Sequence, residues 1–543
     1  MKLPAAGQSM TFQWRIWVCL GLILMANFGI RWHLRDVPLE RDEGEYAYAG
    51  QLLLEGVPPY QLAWNMKFPG TYYAYAGLMA VFGQTAEGIR MGIILVTSLS
   101  IILVFLLGLE LASAGAGWIA ALLFMLMTAV PSTAGLAGHA THFVVLLVCA
   151  GTYALLRAER KWPQLWTFGA GTALGAAILM KQHAAVFSLA AFGWLVIKAI
   201  RSRGKAALQA GTFAGGVALP LAIIAGVLAI SGVWGKFYHW TIEYARAYVS
   251  ITPLSLAPHA FLDGFGPIFS GGMWVWIFGA GAMLLLFVNT SRKRLVAVGA
   301  GLLAAGLVAV CPGLYFRNHY FLMVIPGVAL LNSAVILELQ DRAGRSMKFR
   351  GVQWPAALLV LVLAGELAIR NSPEWFLMSP TAFIRKLYGI SPFPESPVVA
   401  RYIATNTVPT DTIAVLGSEP QIYFLAHRHS ATGYLYMYPL TEPQPLAAVM
   451  RGDFVREFEE AKPRYVIFNN CFSSWSSWQI PGYTDKTMNS FVDWWDDYKQ
   501  KQNYELVGLV DIGEDQPAKF YWDSQVADRT NTAAANISIF RRR

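Results

Sequence analysis

Eleven stretches of this chain are apolar for about as long as a helix needs to cross the hydrocarbon of a bilayer, roughly 20 residues. They lie at about 13–31, 88–110, 115–132, 139–157, 165–181, 184–200, 208–230, 270–288, 295–311, 319–338 and 353–370. Lipid offers no hydrogen-bond partners to the backbone, so each stretch has to close its own bonds as a helix. A composition of 55% hydrophobic and 14% charged residues excludes a string of soluble domains over the 543 positions. The expected fold is a polytopic α-helical membrane protein of about eleven spans, with ten to thirteen as the range if thin spans are split or merged. One further piece, "TYYAYAGLMAVFG" at 71–83, is too short to span and reads as interfacial or re-entrant. The first segment runs into an acidic loop without a small-residue cleavage site, which reads as an uncleaved anchor.

Charge orients the spans. Residues 1–370 carry 26 Lys and Arg against 14 Asp and Glu, whereas 371–543 carry 16 against 19. The basic excess thus belongs to the membrane part, where the positive-inside rule accounts for it without a nucleic-acid partner. With a cytoplasmic amino terminus, the clusters Arg157/Arg160/Lys161, Lys198/Arg201/Arg203/Lys205, Arg292/Lys293/Arg294 and Arg342/Arg345/Lys348/Arg350 all fall inside. The loops 32–70 and 231–269 and everything after 371 then face outside. Four cysteines, Cys19, Cys149, Cys311 and Cys471, fall one to a segment and suggest neither a disulfide framework nor a CxxC metal site.

The tail changes character. Short apolar runs at 412–417, 464–470, 504–510, 519–523 and 537–540 alternate with helical patterns such as "SPVVARYIATN" and "DFVREFEEAK". The expected organisation is a membrane domain over 1–370 with external loop 32–70, and a soluble α/β domain over 371–543. An "NIS" sequon occurs at 536–538.

The loop after the first span reads "LERDEGEYAYAG" and places Glu40, Asp42, Glu43 and Glu45 within six positions. One reading is a capping box formed by Asp42 and Glu45 on a short surface helix, since Tyr46, Gly50, Leu53 and Leu54 follow at helical spacing. That leaves Glu43 unexplained, together with Lys67, Lys181 and Arg317, which fall at external span ends where basic residues are disfavoured. Charges of both signs at one membrane face suggest a polar site.

"RDEGEYAYAGQLLLEG", followed by "NMKFPGTYYAYAGLMAVFG", "LMKQHA" and "RNHYFLMVIPGVALL", resembles the polyprenyl-phosphate-dependent GT-C glycosyltransferases, the group that holds protein O-mannosyltransferases and the lipid A aminoarabinose transferase. The match covers the order of elements over about 1–340. In that family an Asp-Glu pair opens the first external loop and a Lys-Pro element closes it; here these are Asp42 with Glu43, and Lys67 with Pro69. The chain departs from the pattern at Met66, where the aminoarabinose transferase has a metal-binding Glu, and at Phe68, which separates Lys67 from Pro69. Near the fourth span an acidic residue of the family is replaced by "AGHATHF", with His139 and His142.

The resemblance implies a sugar moving from a polyprenyl-phosphate donor to a hydroxyl on a protein, lipid or polysaccharide acceptor, by direct inverting displacement at the outer face of a bacterial inner membrane. Asp42 is then the general base and Glu43 orients the acceptor or neighbouring cations. Lys67, Lys181 and Arg317 stabilise charge growing on the departing phosphate, and Tyr46, Gln182, His319 and Tyr320 hydrogen-bond phosphate or sugar. His139 and His142 hold an acceptor or a metal, or only bond their neighbours. No cofactor is certain, and a divalent metal stays open. The aromatic segment 234–250 either lines the site or lies on the membrane surface. Two rival classes remain: a secondary transporter, against which stand the absent repeat and the charges lying at one face, and a non-catalytic scaffold or sugar-binding receptor working through the tail.

Overall fold

The computed structural model describes residues 10–204, 206–346, 354–476, 484–513, 516–526, 529 and 535–543. Of the basic residues used above, Lys205, Lys348 and Arg350 lie outside them. By packing, the chain forms two compact units. One comprises Met1–Arg35, Arg90–Ile224 and Thr252–Met378, and the other Asp36–Ile89, Ala225–Ile251 and Ser379–Arg543.

Helices run through each of the eleven apolar stretches: α1 (Met10–His33), then Ala86–Leu111, Ala114–Ala129, Ala140–Ala158, Pro163–Met180, Ala185–Arg201, Ala207–Ile230, Met273–Gly281, Lys293–Ala309, Ile325–Ser346 and Trp354–Ser372. Among the described residues, six helices are long and apolar enough to cross a membrane, or seven if one bent pair counts as a single span. The count falls below eleven because some members are short: Ala114–Ala129 has 16 residues and Lys293–Ala309 has 17.

The bent pair corrects the expectation of a plain loop over 231–269. Leu254–Ser270 is an apolar helix that meets Met273–Leu286 at 103°. Gly271 and Gly272 make the corner, and a side chain on Gly272 would collide with Leu367.

In the first unit, members of the 157–161 and 292–294 clusters form ion pairs with acids on neighbouring segments. Arg160 pairs with Glu110 at 2.6 Å, Arg294 with Glu159 at 2.5 Å, and Arg292 with Asp341 at 2.7 Å. Glu159 and Arg160 follow the carboxyl end of helix Ala140–Ala158, whereas His139 precedes its amino end. At 1.5 Å per residue the two ends are roughly 28 Å apart. The basic loop after this helix and His139 before it thus lie at opposite ends of the helix.

The second unit is built around a six-stranded sheet of β1 (Thr412–Leu416), β2 (His429–Ser430), β3 (Tyr465–Asn470), β4 (Tyr504–Ile512), β5 (Lys519–Trp522) and β6 (Ala535–Arg542). Its order is β2-β1-β3-β6-β4-β5; the first three strands are parallel, and β6 runs antiparallel to both β3 and β4. Because β6 is a central strand, Asn536 is 2% exposed, which removes the sequon from any folded-state modification.

Two short helices from the loop after the first span belong to this unit: α2 (Arg41–Leu54) and α3 (Gly70–Phe82). The second of these is the thirteen-residue apolar piece, and it packs on α2 where a Cβ on Gly50 would lie 2.8 Å from the Met79 methyl. On its other side α2 meets the short helix Gln421–Ala426, so closely that a Cβ on Gly44 would lie 2.5 Å from the Gln421 backbone nitrogen.

Candidate active site

The amino end of α2 sets the geometry of the acidic loop. Its cap is Glu40, whose carboxylate accepts the Glu43 N–H at 2.8 Å, while the Glu43 carboxylate accepts the Glu40 N–H at 3.2 Å. The capping box therefore lies two residues before the Asp42/Glu45 pair that the spacing suggested. Glu43 is 0% exposed and its carboxylate faces back to the helix start.

That arrangement leaves Asp42 and Glu45, three residues apart on one helix face, to share a cation. Lys67 Nζ donates to Asp42 Oδ1 at 2.8 Å and to Glu45 Oε2 at 2.6 Å, and lies 4.6 Å from the centre of the Tyr46 ring. The loop presents Lys67 because Tyr60, fully buried and with a left-handed φ of 62°, donates its hydroxyl proton to the Lys67 carbonyl at 2.7 Å. Burial alone would lower the ammonium's proton affinity, but Asp42 and Glu45 outweigh it and hold the group well above the usual lysine range.

Glu45 is more completely enclosed. Its side chain is 1% exposed; Tyr72 donates to Oε1 at 2.6 Å, and Tyr436 to Oε2 at 2.7 Å. Asp42 remains 25% accessible. One carboxylate of the pair is a buried counterion and the other is open to an incoming molecule. Arg41, next to Asp42, turns the opposite way and pairs with the buried Glu419 at 3.1 Å, fixing the start of α2 to the residues after β1.

The segment 234–249 also belongs to this unit. Its Phe237 packs on Tyr60 at 5.6 Å, and Trp240 packs on Trp64 at 5.8 Å and Tyr434 at 5.5 Å. These rings pack on protein aromatics and brace the loop that carries Lys67.

The other unit gathers a second group. Lys181 breaks the helix Pro163–Met180 in extended conformation, and its Nζ lies 4.2 Å from the centre of the Tyr320 ring. Gln182 opens the tight turn that follows. Tyr320 packs edge-on against His319 at 4.8 Å and His183 at 4.9 Å. His319 stacks on His139, ring centres 4.0 Å apart and planes 10° from parallel. His139 thus finds His319 as its ring neighbour, whereas His142 lies within the helix and is 4% exposed. Arg317 places its guanidinium 5.3 Å from the Tyr315 ring centre. The loop before His139 is moored by Arg31 of α1, which donates to the Gly135 carbonyl at 2.6 Å.

Sequence reasoning missed Glu45 as the partner of Lys67, Tyr436, His183 and the buried Arg31. Glu45 was recoverable, because residues 42 and 45 share a helix face whereas 42 and 43 do not. Nothing local marks Tyr436, which reaches α2 from almost 400 residues away.

Residues 66–234 match the sequence profile of the family described as dolichyl-phosphate-mannose-protein mannosyltransferase. That stretch contains Lys67, His139, His142, Lys181 and Gln182. No curated protein matches the sequence. The fold is similar to the oligosaccharyltransferase AglB from the archaeon Archaeoglobus fulgidus, solved with an inhibitory peptide and a dolichol-phosphate, with TM-score 0.54 and 13% identity over 96% of this chain and 76% of that one. It is similar to ArnT from Cupriavidus metallidurans in the apo state, with TM-score 0.57 and 14% identity over 85% of this chain and 93% of that one; ArnT has also been solved bound to undecaprenyl phosphate. Arabinofuranosyltransferase AftD from Mycobacteria gives TM-score 0.51 and 16% identity over 97% of this chain and 40% of that one.

The chain is a polytopic membrane protein of the GT-C fold with a carboxyl-terminal α/β domain.

Proposed function

We propose that the protein is an integral-membrane glycosyltransferase that moves a sugar from a polyprenyl-phosphate donor to a hydroxyl acceptor by direct inverting displacement. The observation that carries this reading is the carboxylate pair on Lys67. Asp42 is accessible and accepts a hydrogen bond from the Lys67 ammonium at 2.8 Å, with its neighbour Glu45 buried as the second counterion. An ionised, accessible carboxylate can take the proton of an attacking hydroxyl, which contributes about 10²–10⁴-fold to such a step. The GT-C fold, together with the dolichol-phosphate in the AglB complex and the undecaprenyl phosphate in the ArnT complex, supports the donor class.

In this proposal Asp42 is the base, and Glu43 acts through the capping box that orients it. Lys181 and Arg317 stabilise the departing phosphate, with Lys67 balancing the carboxylates. Tyr46, Gln182 and Tyr320 supply polar contacts to phosphate or sugar. His139 and His319 would supply imidazole nitrogens to a divalent cation, a ligand type suited to zinc; an A. fulgidus oligosaccharyltransferase structure was solved with Zn and sulfate. The active face is extracytoplasmic in a bacterial inner membrane, and the acceptor is a protein, lipid or polysaccharide hydroxyl.

The test is incubation of the purified protein with a panel of radiolabelled polyprenyl-phosphate sugars, with and without a chelator, beside the Asp42→Asn variant. Labelled acceptor is expected from the natural chain, with kcat about 10²–10⁴-fold lower in the variant and donor binding retained. Undiminished turnover in the variant removes Asp42 from the role, and chelator-insensitive transfer removes the cation. If no donor yields product while proteoliposomes take up unmodified solute, the transporter class is correct.

A further inference from the structure

The apolar helix Ala207–Ile230 stops at a glycine. Gly232 adopts φ 70°, its N–H donates to the Ala229 carbonyl at 3.1 Å, and the Val233 N–H donates to the Leu228 carbonyl at 3.1 Å, so the last helical carbonyls are satisfied as the chain turns. Ile230, the last residue of the helix, is 90% exposed. In a membrane protein an aliphatic side chain so open, at the end of a helix apolar enough to span, is covered by lipid.

Helical structure resumes at once, through Trp234–Tyr238, a π-helical turn His239–Tyr244 and Ala245–Val249. Its two sides differ. Trp240 and Tyr244 are buried on the inner side, where Lys236 Nζ lies 4.6 Å from the centre of the Trp64 ring. On the outer side Trp234, Tyr238, Ile242 and Val249 are 46, 48, 44 and 42% exposed, and Arg246 is exposed in the same row. Positions four apart drift by about 40° per step around a plain α-helix, so from 234 to 246 the row would turn by about 120° and run into the protein. The π-helical turn, with its wider i→i+5 bonding, takes up that drift and keeps the row outward.

Four large apolar side chains in one exposed row mark an interaction surface, and their chemistry selects the partner. A sugar platform presents flat rings and hydrogen-bond groups, and Ile242 and Val249 offer neither. A bilayer surface uses every member of the row: Trp and Tyr rings sit at headgroup level, aliphatic side chains enter the acyl boundary, and an arginine reaches the phosphates. We propose that residues 234–249 form an interfacial strap whose outer row, Trp234, Tyr238, Ile242, Arg246 and Val249, is seated in the headgroup region of the bilayer, with Arg246 on an anionic lipid phosphate. The row begins four residues after the lipid-covered Ile230, which makes it a continuation of an existing lipid surface. This assignment is independent of the reaction that the protein catalyses.

The test places the photocrosslinker p-benzoylphenylalanine in the full-length chain, replacing Tyr238, Ile242 or Lys519 in separate preparations. Lys519 lies in β5, at the sheet edge opposite β2, and is the control. Each protein is assembled into nanodiscs of phosphatidylcholine and phosphatidylglycerol, with one or the other lipid radiolabelled, and irradiated. Lipid adducts are expected at 238 and 242, with only background label at 519. Combined with Arg246→Gln, the yield of phosphatidylglycerol adduct at 242 relative to phosphatidylcholine should fall about fivefold, the worth of one basic residue at an anionic surface. Absence of lipid adducts at both 238 and 242, or equal label at 519, overturns the proposal. Adducts to a second copy of the chain overturn it as well and make the row a contact between proteins. An unchanged lipid ratio in Arg246→Gln overturns the assignment of Arg246 to the phosphate.

Discussion

Lys67 is the residue on which the acidic helix depends. With its side chain 19% exposed and Glu45 at 1%, the pair is shielded enough that losing one partner strands a charge. Replacing Lys67 with Met should cost about 3–5 kcal/mol of folding free energy. The double variant Lys67→Met/Glu45→Gln should recover much of this, because an amide needs no counterion, and should still fail to transfer. Thermal unfolding in detergent decides it: a Lys67→Met protein as stable as the natural chain would mean that the ammonium is not stabilising Glu45. The pH dependence has a definite sign. The lysine's folded-state proton affinity is raised above the ordinary value of 10.5, so its stabilisation is complete below that pH and is lost as pH rises through the higher folded value. Part of this was legible in the sequence. With acids at 40, 42, 43 and 45, both the 40/43 and the 42/45 pairs have capping-box spacing, and spacing alone cannot say which is the cap. The helix starts at Arg41, which gives the box to 40 and 43 and turns 42 and 45 toward Lys67.

At the scale of elements, α2 is buried from Glu43 to Leu52, on every face. The recurrence of Tyr46, Gly50, Leu53 and Leu54 suggested a surface helix with one apolar side; a helix covered all round needs close neighbours on the others as well. Gly44 and Gly50 permit them, the first against Gln421 and the second against Met79 and Ala76. Gly44→Ala should therefore push α2 away from the backbone of helix Gln421–Ala426, costing about 1–3 kcal/mol and lowering transfer by displacing Asp42. Gly77→Ala in α3, where a Cβ meets nothing within 4 Å, serves as the control. Equal unfolding temperatures and rates for the two variants would show that the contact at Gly44 is slack. Elsewhere, strand patterning was readable for all but one member of the sheet, because β1, β3, β4, β5 and β6 keep short apolar runs between turn residues. The exception, β2, has only two residues and offers no period to detect. The corner at Gly271–Gly272 was missed for the opposite reason: apolar residues continue on both sides, and hydropathy does not register a bend.

For the whole chain, composition and packing draw different boundaries. Charge and turn content change at about residue 371, but Asp36–Ile89 and Ala225–Ile251 pack as one unit with Ser379–Arg543. The contacts that join them pair residues hundreds of positions apart: Trp64 with Tyr434 at 4.9 Å, the Ser430 N–H donated to Tyr48 Oη at 2.8 Å, and Gln51 Nε2 with His427 Nδ1 at 2.8 Å. No local period encodes such pairs, which explains why the tail reads in the sequence as a separate domain. If the three segments stabilise one another, removing 379–543 does more than remove an appendage. Tyr48, 0% exposed, and Trp240, 2% exposed, would lose their covering, and Arg41 would lose Glu419. The loop around Lys67 would then open, so limited trypsin digestion of the truncated protein should cut after Lys67, whereas the full chain resists there. Transfer should be lost together with that protection. Preserved resistance at Lys67 with activity intact would instead establish that α2 and its lysine hold their geometry unaided, and the tail would then need some other reason to press Tyr436 and Gln421 against them.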